Sequence, residues 1–167
     1  MMMTTQEKFV TFRIDDYLFG INILSVREIT CYTHSTSVPL AAPHIEGLIN
    51  LRGQIVTLLD LKQMLGLGKL EVKAETHTII LKTAQELYNG ATEGNVDRVG
   101  VVIDAVGDII TVNTDELDPP PANIGDLDGQ FLSSVVKLDE GVVSILNLDH
   151  ILFTEEEFHE GKHKTAA

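Results

Sequence analysis

The densest potential chemistry in the sequence lies near its end, in His159-Glu160-Gly161-Lys162-His163. These residues satisfy the H-E-x-x-H pattern, in which two histidines one helical turn apart hold zinc and the glutamate serves as general base. That chemistry needs a stable helix and a further protein ligand. Gly161 weakens a helix through the motif, only four residues follow His163, and the neighbours are Glu, Lys and Thr instead of apolar support. A zinc hydrolase using His159 and His163 is therefore the lesser reading, and a flexible polar tail over 159–167 is the expectation.

Other catalytic patterns do not assemble. Gly66-Leu67-Gly68-Lys69 lacks the spacing and the Ser or Thr of a phosphate loop. Cys31 is the single cysteine, so an internal disulfide is excluded, and in a β-rich stretch it reads as a small buried residue. His34, His44, His77 and His150 form neither a ligand cluster nor a nucleophile elbow. The expectation is no catalytic residue, no metal set and no cofactor.

Charge narrows the partners. Twelve Lys plus Arg against 25 Asp plus Glu give a net charge of −13 and a pI near 4.7, a surface that repels nucleic acid. With 5% aromatics and no Trp, a stacking platform for bases is not expected either. No apolar run approaches the roughly 18 residues that cross a bilayer, and the first residues lack a basic-then-apolar leader pattern. A cytoplasmic binding module without membrane insertion is the expectation.

The remaining chemistry is recognition, and the elements that would position it start with the stretch from Gly47 to Leu65. Apolar runs at 48–51 and 55–61 flank Arg52-Gly53-Gln54, which predicts a hairpin with a charged tip. A short helical turn follows Asp60 and stops at Gly66. The unit recurs: at one constant shift Gly47–Leu51 lies over Ser134–Leu138, and Ile55–Leu61 over Val142–Leu148. At a nearly equal shift Gly20, Ile23, Val26 and Ile29 fall on identical residues at Gly100, Ile103, Val106 and Ile109. The chain thus reads as an all-β duplication, one domain over 9–152 made of a first unit at 9–68 and a second at 76–152. Edge strands are open to exchange between the units, tails cover 1–8 and 159–167, and a short helix is expected near the C-terminus. The segment 86–97 between two predicted strands is longer than a tight hairpin needs. Glu28 lies over Asp108, but Arg52 lies over Asp139, so only the first unit can pair a carboxylate with a guanidinium.

The motifs Val26-Arg27-Glu28-Ile29, GLINLRGQIV at 47–56, Leu59-Asp60-Leu61 and GVVIDAV at 100–106 resemble the CheW-like coupling proteins of bacterial chemotaxis, from about Phe9 to Leu152. The resemblance implies two SH3-like five-stranded β-barrels packed side by side, and a non-catalytic adaptor linking chemoreceptors to the histidine kinase CheA within an array. A coupling protein of a related chemosensory pathway, such as twitching motility, is the alternative within this fold. By position, the resemblance assigns Val26, Glu28, Ile29, Gly47, Arg52, Val106 and Ile109 to partner contact. Periodicity alone would place Val26, Ile29, Val106 and Ile109 in the core.

Overall fold

The computed structural model describes residues 5–83, 86–87, 98–121 and 129–151. Ten strands form two five-stranded sheets. One contains β1 (Gln6–Ile14), β2 (Tyr17–Asn22), β8 (Ala105–Asn113), β9 (Leu132–Leu138) and β10 (Gly141–Leu146), in the order β8-β1-β2-β10-β9. The other contains β3 (Val26–Cys31), β4 (Ile45–Leu51), β5 (Gln54–Asp60), β6 (His77–Leu81) and β7 (Arg98–Ile103), in the order β3-β6-β7-β5-β4.

Strand for strand, the two orders are the same once each half of the chain is laid on the other. The pairs β2–β10 and β5–β7 are parallel, and the remaining ladders are antiparallel. Neither half forms a sheet of its own, however. The hairpin β1–β2 sits inside the sheet completed by β8, β9 and β10, and β6–β7 sits inside the sheet completed by β3, β4 and β5. Exchange between 9–68 and 76–152 therefore reaches beyond the edge strands, because each parallel ladder seats a hairpin of one half against a strand of the other.

Closed barrels are not found among the described residues. Each sheet ends in two unpaired edges, and a single-residue bridge spans the place where a ladder would close it. Thr36, in the connector after β3, exchanges both backbone hydrogen bonds with Leu48 at 2.8 and 2.9 Å. Asp118, after β8, does the same with Val135 at 2.9 and 2.8 Å. Pro39 and Pro43 follow the first bridge and Pro119–Pro121 the second, and proline cannot extend a ladder.

The largest apolar cluster joins both sheets, with Phe12, Phe19, Leu59, Ile79, Val101, Leu132 and Leu146 all buried. Each sheet also has a smaller cluster of its own, around Val56, Leu58 and Val102 or around Phe9, Val136 and Val143. Every residue of β7 is buried, since its two faces serve different clusters, which explains the apolar run that follows Arg98. Shared burial makes the duplicated chain one packing unit.

Local chemistry sets the element ends. Asp60 caps the short helix α1 (Leu61–Met64) by accepting from Gln63 N at 3.1 Å, and it also accepts from Leu70 N at 2.8 Å. Burial pushes its carboxyl above the ordinary range, against these hydrogen bonds and the charge of Lys62. Its counterpart Asn147 accepts from His150 N at 3.3 Å at the start of helical residues 148–151. The tail expected over 1–8 is shorter than that, because Gln6, Glu7 and Lys8 pair with Asn113, Val112 and Thr111 of β8. Cys31 is exposed, not buried: β3 is an edge strand whose alternation turns Arg27, Ile29 and Cys31 outward. The rest of the expected C-terminal helix, the tail at 159–167 with His159 and His163, and most of 86–97 lie outside the described residues.

Candidate partner-binding site

The β4–β5 hairpin turns on two residues, Arg52 and Gly53, both at positive φ, 51° and 84°. Positive φ at both central positions is the turn whose twist matches the flanking strands. Glycine adopts it freely, whereas arginine does so at a cost. Asn50 Oδ1 locks the tip by accepting from Gly53 N at 2.9 Å. From this tip Arg52 reaches Glu28 on β3, its Nη1 lying 2.9 Å from Oε2 and 3.2 Å from Oε1. One nitrogen thus serves both oxygens, in place of the two-nitrogen fork that the guanidinium offers. Because β3 and β4 are the two free edges of one sheet, the ion pair spans the gap beside the Thr36–Leu48 bridge.

Gly47 is buried, at φ 154°. A Cβ there would sit 2.5 Å from Ser35 Oγ and 2.6 Å from the Thr36 carbonyl oxygen. Its place in the fold is to let the connector lie flat on β4, so it shapes the edge from beneath.

The apolar positions divide. Val26 is half-buried against the shared core, while Ile29, Val106 and Ile109 are 37%, 37% and 56% exposed. These three are not core, contrary to their periodicity, because β3 and β8 are edges with one face uncovered. Val106 lines a cleft of about 430 Å³ with Thr11, Arg13, Leu18, Asp108 and Asp139, all from its own sheet. Neither Val26 nor Ile29 lines that cleft. The seven positions therefore fall into two groups, one around the Arg52 hairpin and β3 and the other along β8.

A bulge in β3 adds a group of residues that sequence reasoning missed. Val26 faces Leu81 and Glu28 faces Ile80, leaving Arg27 without a strand partner. Arg27 Nη1 lies 3.0 Å from Glu86 Oε2, and Arg98 Nη2 lies 2.6 Å from Glu86 Oε1. Arg98 Nε donates in turn to Gln54 Oε1 at 3.0 Å. Burial raises the Glu86 carboxyl, but hydrogen bonds and charge from Arg98 and Arg27 outweigh it and hold the group below its ordinary value. No spacing rule marks Glu86, which lies far from Arg27 in sequence. The only signal is an arginine opening the otherwise apolar run 98–103. Elsewhere Tyr32 donates to Glu46 at 3.0 Å, and burial together with that carboxylate raises its phenol.

The CheW-like domain model matches residues 8–156. The chain belongs to the CheW-like family. It is 33% identical to the probable chemotaxis protein CheW of Rhizobium etli, over 90% of this chain and 89% of that protein. It is 26% identical to the protein FrzA of Myxococcus xanthus, over 89% of this chain and 87% of that one. In three dimensions it is similar to the scaffolding protein TtCheW of Thermoanaerobacter tengcongensis, with a TM-score of 0.72 at 28% identity, covering 89% of this chain and 87% of the other. The family and the scaffold likeness make the chain a coupling adaptor of chemotaxis signalling.

Proposed function

We propose that this adaptor works without catalysis in the cytoplasm, holding a CheA-type histidine kinase and the cytoplasmic tip of a chemoreceptor together in an assembled array. The observation that carries the reading is the Glu28–Arg52 pair across the open edges of one sheet, with Ile29 exposed on the same β3 edge. A surface pair of this kind contributes under about 1 kcal/mol to folding, so its value lies in register and selectivity toward a partner. Val106 and Ile109 on β8 supply an apolar stripe that suits the face of a helical hairpin. No helix among the described residues is long and apolar enough to cross a membrane. The acidic balance, 25 Asp plus Glu against 12 Lys plus Arg, favours protein partners over nucleic acid.

A pull-down of a CheA-type kinase and of a receptor cytoplasmic fragment tests the proposal, with wild type, Arg52→Asp and Val106→Lys checked for folding by circular dichroism. Capture by wild type and selective loss in the folded variants is the expected result. Failure of wild type to capture either partner overturns it. The likeness to FrzA favours a second reading of the same role, in which the kinase and receptor belong to a related chemosensory pathway. Capture of one pathway's kinase in preference to another's decides between the two.

A further inference from the structure

A closed circuit of side-chain contacts and chain links leaves the Arg52 hairpin and returns to it. Arg52 pairs with Glu28, and Glu28 is joined through the backbone to Arg27. Arg27 meets Glu86 at 3.0 Å, Glu86 meets Arg98 at 2.6 Å, and Arg98 holds Gln54 at 3.0 Å. Gly53 completes the circuit back to Arg52.

The two arcs of the ring differ in burial. The Arg52 and Arg27 side chains are 76% and 41% exposed, whereas Arg98 and Glu86, which Arg27 joins, are 8% and 12% exposed. An exposed ion pair is screened by water and salt and holds its own geometry poorly. A largely buried carboxylate whose two oxygens each take a guanidinium is held far more rigidly.

Resting on the reading of Glu28 and Arg52 as a partner contact, we propose that Glu86 is the positioning residue of that contact. It fixes both members at once while touching neither. Each oxygen serves one side: Oε2 holds the arginine next to Glu28, and Oε1 holds the arginine that grips the foot of the hairpin. The carboxylate is itself anchored, since Glu86 N donates to Thr83 Oγ1 at 3.2 Å and Leu87 N to the Thr83 carbonyl at 3.0 Å. The left-handed backbone of Arg52 is a strained state that persists only where its surroundings fix it, and the ring adds to the constraint already set by the Asn50–Gly53 hydrogen bond.

The test uses the full chain with Glu86→Gln, Gln54→Ala and Arg52→Ala, read by amide exchange and by affinity for a CheA-type histidine kinase. Glu86→Gln is expected to raise exchange at Gly53 roughly tenfold while leaving Val101 in β7 within about twofold. It is expected to weaken kinase binding roughly tenfold alone and to add almost nothing on top of Arg52→Ala, the signature of one coupled unit. Gln54→Ala removes an exposed side chain without stranding a charge, and shows the same pattern at about threefold. Unchanged exchange at Gly53, or losses that add in full with Arg52→Ala, would overturn the proposal. If wild type binds no kinase, the adaptor reading fails, and the exchange experiment alone decides whether Glu86 positions the hairpin.

Discussion

The hairpin carrying Arg52 and the hairpin carrying Asp139 occupy equivalent places in two sheets of identical strand order, yet one is tied by charge and the other faces an open cleft. Arg27, Glu28, Arg52, Gln54 and Arg98 correspond to Gly107, Asp108, Asp139, Gly141 and Leu18. The second set has carboxylates but no cation among its own members, and four of them, Leu18, Gly107, Asp108 and Asp139, line the cleft of about 430 Å³ together with Arg13 of β1. The backbones diverge as well. In the first tip Arg52 and Gly53 both take positive φ, whereas in the second only Gly141 does. The same ladders occur twice, and a handful of charged residues present in only one half give its edge both signs.

Several substitutions would break or sharpen this difference. Arg98→Leu installs the residue of the other half and leaves Glu86 without its shorter ion pair. A loss of about 3 kcal/mol in urea unfolding is expected, because breaking a buried pair strands a charge. Gly47→Ala forces a Cβ against Ser35 and Thr36 and is expected to cost about 2 kcal/mol, whereas Ser134→Ala at the matching position should cost under about 0.5 kcal/mol. Equal losses at the two sites would show that the Thr36–Leu48 bridge does not depend on Gly47.

Acid titration separates two carboxylates, the half-buried Glu86 and the buried Asp60. Glu86 titrates below its ordinary value of 4.5 in the folded chain, so its stabilisation is present above that pH and is lost as pH falls through the lowered value. Unfolding measured from pH 6 downward should therefore show a weaker acid dependence in Glu86→Gln than in wild type. Asp60 has the opposite sign. Its folded value is raised above 3.8, so the folded state binds the proton more tightly and the contribution fades as pH rises through the raised value. Asp60→Asn keeps one acceptor oxygen for Gln63 N but turns an amide NH2 toward Leu70 N, and is expected to cost about 2 kcal/mol at neutral pH. Arg52→Ala is expected to cost under about 1 kcal/mol of stability.

Much of this architecture is legible in the sequence because it rests on local rules. Apolar runs at 48–51 and 55–61 mark β4 and β5, and the Arg52-Gly53 pair marks the tight turn between them. The recurrence of the Gly47–Leu65 pattern marks the second half. The exchange of hairpins between sheets is not legible, since the partner of an apolar strand such as 99–103 depends on long-range packing that its own residues do not specify. Nor is the exposure of Ile109 and Ile29, because periodicity records apolar character and says nothing of a free edge. Within the candidate site the Glu28–Arg52 pair follows from comparing the two halves. Glu86 does not, because it is brought to Arg27 by the β3–β6 ladder and a bulge, neither of which leaves a mark on spacing.

The central claim is that recognition of the kinase is carried by the charged edge of one half, while the apolar stripe of its counterpart is left to the receptor hairpin. Calorimetric titration of a CheA-type kinase into wild type, Arg52→Asp and Asp139→Arg, all verified as folded, addresses it directly. The account predicts that Arg52→Asp weakens binding at least about tenfold while Asp139→Arg stays within about twofold of wild type. Equal loss in the two variants, or full affinity in Arg52→Asp, would contradict it.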